Sequence, residues 1–165
     1  ACKVPTWSAP SALVALGWFF LLRPFPALLS TDPAQARKLS AAANKNGIDW
    51  RPFTVAELDR LLLEKKTVLI DFTADWCLTC KANEATVINT PPVIAKIKAL
   101  NIVSLKADWT SQDPEITKLL QKFGRSGVPL YVIFPAGNPA EPIVLPEVIS
   151  QDLVVAALQK AGPSK

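Results

Sequence analysis

The sequence contains no histidine and no methionine, and it has only three cysteines. Zinc usually takes four nitrogen or sulfur ligands, so three cysteines without histidine argue against a zinc site. A copper-chaperone site is disfavoured for the same reason, because its ligands are commonly cysteine, methionine or histidine. A c-type haem attachment needs histidine directly after a Cys-x-x-Cys pair, and Lys81 stands at that position. The composition therefore predicts no metal and no cofactor.

Clustered basic charge is also missing. The formal net charge is +4, basic residues form nothing longer than dipeptides such as Lys65-Lys66, and aromatic residues are not interleaved with them. A nucleic-acid-binding surface normally shows such a cluster, so we expect no nucleic-acid partner. The cysteines are too few for a disulfide framework and by themselves identify no compartment. The absence of methionine leads us to expect that the sequence begins inside a longer chain or after processing.

One short stretch concentrates the reactive groups. Thr67–Thr73 is short, apolar and rich in β-branched residues, which is typical of a strand buried on both faces of a sheet. Apolar residues then return at helical spacing from Cys77 onward, so we expect Cys77 near a helix N-terminus. Unpaired N–H groups and the helix dipole stabilise a thiolate there. In such Cys-x-x-Cys settings the thiol pKa falls from about 8.5 to between about 3.5 and 7.5. We therefore predict that Cys77 attacks a substrate disulfide and that Cys80 resolves the mixed disulfide.

A structural disulfide between the same cysteines is the main alternative. A bridge between Cys77 and Cys80 closes so short a loop that it contributes little loop-closure entropy. A purely stabilising bridge is therefore disfavoured, and the spacing favours redox chemistry.

The remaining periodicity predicts strands and helices in the order β-α-β-α-β-α-β-β-α. An edge strand is expected at Trp50–Phe53, where proline is tolerated, and the capping box Thr54-Val55-Ala56-Glu57 begins a helix that runs to about Lys65. The later predicted elements are a helix at Val93–Leu100 after Pro91-Pro92, a strand at Ile102–Asp108, a helix from Asp113 to Gly124, strands at Pro129–Phe134 and Ile143–Leu145, and a helix from Ser150 to Gly162. This order predicts an α/β fold with a central mixed sheet flanked by helices.

An apolar run precedes these elements, from Ala12 to Leu22. It is shorter than the roughly 20 residues that span a bilayer, although extension back to Trp7 lengthens it and Arg23 follows it as a membrane-edge charge. Three interpretations of residues 1–29 stay open. The segment is the end of a transmembrane region of a larger protein, a signal peptide or simple anchor, or an arm buried against the soluble domain.

Residues 30–49 show no sustained periodicity beyond a candidate short helix at Pro33–Ala43, and they are predicted to form a linker. Residues 50–165 then remain as one domain of ordinary size. Cys2 is either a membrane-edge cysteine or an incidental one.

The segment Ala74-Asp75-Trp76-Cys77-Leu78-Thr79-Cys80-Lys81, together with Glu84, resembles the active site of the DsbD family of membrane thiol:disulfide interchange proteins. The similarity covers about Trp50–Gly162 and is to the C-terminal periplasmic thioredoxin-like domain of that family. Thioredoxin itself typically carries Gly-Pro between the cysteines, where this chain has Leu78-Thr79. The resemblance implies a thioredoxin fold, and it implies that residues 1–29 end a membrane region.

Two carboxyl groups are candidates for proton transfer or pKa tuning beside the cysteines. Asp71 lies within the apolar strand, where burial raises the pKa of an unpaired carboxyl towards neutrality. Its position resembles that of the buried aspartate of thioredoxin, which implies a general base for Cys80. The alternative is that Asp71 points to solvent at a strand end. Glu84, one turn after Cys80, would by resemblance tune the thiol pKa, whereas taken alone it is an ordinary surface glutamate.

Three further residues are candidates for binding the substrate. Trp76 precedes the nucleophile and is expected to lie beside it and exclude water, with generic core packing as the alternative. Gly127-Val128-Pro129 resembles the loop in which a cis-proline faces the thiols, which would leave the Val128 N–H and C=O free to pair with an extended substrate. A trans Pro129 that begins a strand is the alternative. Lys106 corresponds either to a thioredoxin lysine near the buried aspartate or to an exposed strand-end residue.

The sequence also bears on the direction of electron flow. Strong oxidants of this class stabilise the reduced thiolate, and Leu78-Thr79 supplies no cation for that. The resemblance likewise implies that the protein is a reductase. It implies a monomeric soluble domain that lies in the periplasm and is tethered to the bacterial inner membrane. It would take electrons from a membrane-domain cysteine pair and pass them to disulfide-bonded periplasmic proteins. The alternatives are a stand-alone anchored thioredoxin-like protein for cytochrome c biogenesis and a non-catalytic thioredoxin-fold binding module.

Overall fold

The computed structural model describes residues 47–165. The predictions for the apolar segment 1–29, for Cys2 and for the linker before residue 47 therefore lie outside the described residues. Within residues 47–165, no helix is long and apolar enough to cross a membrane.

The strands of the described part form one mixed sheet. Their bounds are β1 (Trp50–Pro52), β2 (Val68–Thr73), β3 (Val103–Asp108), β4 (Leu130–Phe134) and β5 (Ile143–Val144). The order across the sheet is β1-β3-β2-β4-β5, so β1 is the predicted edge strand. β1 and β2 both run parallel to β3, whereas β4 runs antiparallel to β2 and to β5. The predicted mixed sheet is confirmed.

Helices cover both faces of this sheet. Their bounds are α1 (Val55–Leu63), α2 (Leu78–Asn83), α3 (Pro91–Ala99), α4 (Pro114–Lys122) and α5 (Gln151–Ala161). A π-helical turn (Glu84–Ile88) continues α2 and is closed by a 2.8 Å hydrogen bond from the Asn89 N–H to the Glu84 carbonyl. The sequence predicted no such turn. Pro91 and Pro92 occupy the first positions of α3 rather than preceding it, because proline needs no N–H partner there.

Side-chain caps begin three helices where the sequence predicted them. Thr54 accepts a hydrogen bond from the Glu57 N–H at 3.0 Å, Asp113 accepts from two backbone N–H groups of α4, and Ser150 accepts from α5. A capping box also predicts that the Glu57 carboxylate accepts a hydrogen bond from the Thr54 N–H. That part of the prediction is wrong, because the carboxylate pairs with Arg60 at 2.7 Å instead. Thr54 therefore caps α1 by its hydroxyl, without help from the carboxylate.

Two apolar layers enclose β2, which is buried along its whole length as predicted. Val68, Ile70 and Phe72 face the layer formed with α1 and α4. Leu69 faces the opposite layer, which includes the π-helical turn, α3 and α5. Because side chains alternate along a strand, Asp71 points into this second layer, on the same face of β2 as Leu69.

Candidate active site

Cys77 and Cys80 are joined in a disulfide at the start of α2. The S–S distance is 1.98 Å and the Cα atoms lie 5.3 Å apart. Cys77 is the N-cap residue, and its Sγ accepts a hydrogen bond from the Cys80 N–H at 3.1 Å. Cys77 keeps 6% of its surface exposed and Cys80 none. The predicted helix N-terminus is confirmed, and a partner can approach the disulfide only from the side of Cys77.

Asp71 is a charged side chain enclosed by the core. It is 0% exposed, and neither carboxyl oxygen has a hydrogen-bond partner in the described part of the chain. Burial, reinforced by the negative charge of Glu84 and partly offset by Lys106, raises the pKa of Asp71 to about 7. The alternative of a solvent-facing strand end is therefore wrong. A carboxyl with this pKa can exchange a proton near neutral pH.

Glu84 is held beside Asp71 by the π-helical turn. Its carboxylate pairs with the Lys106 ammonium at 3.0 Å, and both side chains are largely withdrawn from solvent. Lys106 in β3 lies opposite Asp71 in the register of β2 and β3. Its ammonium also lies 5.1 Å from the Trp50 ring centroid. Glu84 is therefore not an ordinary surface glutamate, and Lys106 is not an exposed strand-end residue. A cleft of about 140 Å³ opens beside the ion pair, so this edge of the buried site adjoins solvent.

The Trp76 side chain lies on the surface, 53% exposed, and is not part of the core. Its indole N–H donates to the Thr110 carbonyl at 3.3 Å, and its ring lies 6.0 Å from that of Trp109 at a tilt of 59°. Leu78, between the cysteines, is 81% exposed. Two large apolar groups therefore flank the disulfide on the protein surface.

The Val128–Pro129 loop lies against the cysteines. The peptide bond between the two residues is cis, and Val128 packs on the small cluster formed by Ala74, Cys77 and Cys80. In the described part of the chain, the Val128 N–H and C=O have no hydrogen-bond partner. The loop thus presents a free backbone donor and acceptor next to the disulfide, as an added extended strand would need.

A hydrogen-bonded link joins this loop to the cysteine helix. The buried amide of Asn83 donates to the Glu147 carbonyl at 2.8 Å, and the Glu147 carboxylate pairs with Arg125 at 2.7 Å. Arg125 lies three residues before Val128. Sequence reasoning missed this link and also the contacts of Thr110, because each joins residues far apart in the chain. No group of three or more metal-ligating side chains converges within residues 47–165.

The sequence of this chain is similar to one family model and to curated proteins, among them two DsbD proteins. A family model described as thioredoxin-like matches residues 49–136. The thiol:disulfide interchange protein DsbD 1 of Pseudomonas aeruginosa is 35% identical over 95 residues, which is 54% of this chain and 16% of that protein. DsbD of Neisseria meningitidis serogroup A is 32% identical over 120 residues, which is 71% of this chain and 19% of that protein. The chain thus spans less than a fifth of the length of these curated relatives.

The solved structures give a likeness of fold. The oxidised C-terminal domain of Neisseria meningitidis DsbD aligns with a TM-score of 0.53 and 23% identity, covering 67% of this chain and 97% of that domain. Chloroplastic thioredoxin z aligns with a TM-score of 0.51 and 14% identity, covering 69% of this chain and 93% of that one. These alignments confirm the predicted thioredoxin fold.

Proposed function

We propose that this chain, which belongs to the thioredoxin-like family, is a thiol:disulfide oxidoreductase that works through Cys77 and Cys80. Its similarity to DsbD proteins agrees with the resemblance found in the sequence. One observation carries the proposal. Within residues 47–165, a disulfide that is exposed only at Cys77 lies at a helix N-terminus, and the strand that leads to it carries a buried carboxyl group, Asp71, that has no hydrogen-bond partner.

In the reducing direction the reaction begins with the dithiol form. The Cys77 thiolate, stabilised by the N–H groups and dipole of α2, attacks one sulfur of a substrate disulfide. The bond between the two substrate sulfurs breaks, one substrate thiolate leaves, and a mixed disulfide joins Cys77 to the substrate. Trp76 and the free backbone groups of Val128, next to Pro129, hold the substrate segment during this step.

The second step releases the substrate and needs a base. Asp71 in its carboxylate form takes the proton of the Cys80 thiol, and the resulting thiolate attacks the Cys77 sulfur. The mixed disulfide breaks, the second substrate thiolate leaves, and the Cys77–Cys80 disulfide forms. Two electrons have then passed from the protein to the substrate. Glu84 tunes this step because its charge raises the pKa of Asp71.

We further propose that the domain acts as a reductase in the bacterial periplasm. The basic residue next to the motif, Lys81, is exposed and lies 3.9 Å from the Asp75 carboxylate, and Leu78-Thr79 between the cysteines carries no cation that would stabilise the Cys77 thiolate. This supports a relay that passes electrons on, since strong oxidants of this class stabilise the thiolate form. The donor is a cysteine pair in a membrane domain, and the acceptors are disulfide-bonded periplasmic proteins.

Trapping the mixed disulfide tests the proposal. Cys80→Ala removes the resolving thiol, so the variant should accumulate mixed disulfides through Cys77 when it meets a protein disulfide. These adducts are separated on non-reducing gels and identified by mass spectrometry. Cys77→Ala is the matched control and should trap nothing, because the remaining thiol is buried. Equal trapping by the two variants, or none by Cys80→Ala, would contradict the proposal.

A further inference from the structure

The ends of β2 and β3 bring two loops side by side. Thr73 and Asp108 are partners in the parallel register, and the Trp109 N–H donates to the Thr73 carbonyl at 2.7 Å. The chain that continues from Thr73 leads to Trp76 and the disulfide. The chain that continues from Asp108 therefore runs along the segment that precedes the reactive cysteine.

Thr110 joins these two loops through both its side chain and its backbone. Its hydroxyl accepts a hydrogen bond from the Asp75 N–H at 2.9 Å, and its carbonyl accepts from the Trp76 indole N–H. The hydroxyl donates in turn to the Asp108 carboxylate, which also accepts from the Thr110 N–H at 2.9 Å. Asp108 thus fixes the orientation of the hydroxyl that Asp75 needs.

Few other contacts hold the Trp76 segment. The Asp75 side chain is 85% exposed, and its one ion pair within residues 47–165 is with Lys81, at 3.9 Å. The Trp76 ring is half exposed and packs on Trp109 at 6.0 Å, whose own indole N–H is fixed by Thr117 at 2.8 Å. An exposed aromatic side chain with so little packing depends on its hydrogen bonds for a fixed orientation.

We propose that Thr110, oriented by Asp108, is a positioning residue for thiol–disulfide exchange. It holds Trp76 as a fixed apolar wall beside Cys77, against which the substrate segment packs. The inference rests on the proposed function and deepens it by naming the group that prepares the substrate side of the site. Small misplacements of a positioning group slow a reaction measurably, because the reacting sulfurs must meet in line.

Thr110→Val tests the inference, because it removes the hydroxyl and keeps the shape of the side chain. Solvent exchange of the Asp75 amide, measured by NMR on the oxidised protein, should become roughly fivefold faster or more, as expected for one lost hydrogen bond. Exchange of the Trp76 indole proton should also become faster, because its acceptor, the Thr110 carbonyl, is held less firmly once the hydroxyl contacts are lost. The value of kcat/KM for a protein disulfide substrate should fall roughly three- to tenfold. Reduction of the Cys77–Cys80 disulfide by dithiothreitol should change less than about twofold, because so small a thiol needs no wall.

Matched variants separate positioning from a general loss of structure. Thr110→Ser keeps the hydroxyl and should restore wild-type exchange and turnover, and Ser111→Ala removes a neighbouring hydroxyl without effect. Asp108→Ala removes only the outer hydrogen bonds and should give a smaller change in the same direction, which keeps the test open if Thr110→Val does not fold. In a Trp76→Ala background, Thr110→Val should slow turnover no further.

Two results would overturn the inference. One is unchanged indole exchange in both Thr110→Val and Asp108→Ala. The other is an equal loss of turnover with and without the Trp76 side chain. A Cys80→Ala variant that traps no mixed disulfide would instead refute the proposed function, and the exchange measurements would still report on Thr110.

Discussion

Replacing Asp71 with asparagine should change how the stability of this protein depends on pH. In the folded protein burial raises the pKa of Asp71 from its usual value of 3.8 to about 7. The folded state therefore holds a proton that the unfolded state releases between pH 4 and 7. Over that range the free energy of unfolding of the wild type falls as pH rises, because deprotonation favours the unfolded chain.

The magnitude follows from the size of the pKa difference. Each pKa unit corresponds to about 1.4 kcal/mol, so the wild type should lose about 4 kcal/mol of stability between pH 4 and a plateau above pH 7. The asparagine side chain does not ionise in this pH range, so the variant does not lose this stability as pH rises. The amide adds a constant offset of its own, so the informative quantity is how the difference between variant and wild type changes with pH.

Urea unfolding of the oxidised proteins at intervals from pH 4 to pH 9 measures this difference. The stability of Asp71→Asn relative to the wild type should rise with pH through the range between the two pKa values and then become constant. Asp59→Asn is the matched control, because an exposed carboxyl has no burial penalty to relieve. A difference for Asp71→Asn that stays constant within about 1 kcal/mol from pH 4 to pH 9 would refute the reasoning, since it would mean that the carboxyl ionises freely in the folded protein.

Two further substitutions test the surroundings of the site and the fold. Glu84→Gln removes a negative charge that raises the pKa of Asp71, so the acidic limb of the pH–rate profile should move to lower pH, and an unmoved limb would show that the two groups are uncoupled. Gly124 has a φ of +68° with open space at the Cβ position, so Gly124→Ala should cost about 1 kcal/mol of unfolding free energy from backbone strain alone. Gly137→Ala, also in open space but without a positive φ, should be neutral or slightly stabilising in the same urea titration.

Local signals explain what the sequence predicted well. An apolar, β-branched run identifies β2, because a strand with both faces buried must be apolar throughout. Thr54, Asp113 and Ser150 mark helix starts, since a side-chain oxygen there satisfies free N–H groups within three residues. Cys77 could be placed at a helix N-terminus because apolar residues return at helical spacing from that position onward. Each of these predictions depends on residues that are close together in the chain.

The features that the sequence did not predict depend on distant partners. The π-helical turn from Glu84 to Ile88 carries the same apolar spacing as an α-helix over so few residues, so periodicity does not distinguish them. The partner of Glu84 is Lys106, 22 positions away, and the Asp75 N–H meets Thr110, 35 positions away. Pairings of this kind follow from the strand register, which becomes known only when the sheet is assembled.

The unequal burial of the two sulfurs has a consequence for kinetics. Cys80 is wholly enclosed, whereas Cys77 reaches the surface, so under the proposed function the electron donor and the electron acceptor must both form their mixed disulfide with Cys77. The mixed disulfide with one of them must break before the mixed disulfide with the other can form. Because one sulfur forms one disulfide at a time, the donor and the acceptor cannot both be linked to the protein at once, and under the proposed function an excess of either one competes with the other for Cys77.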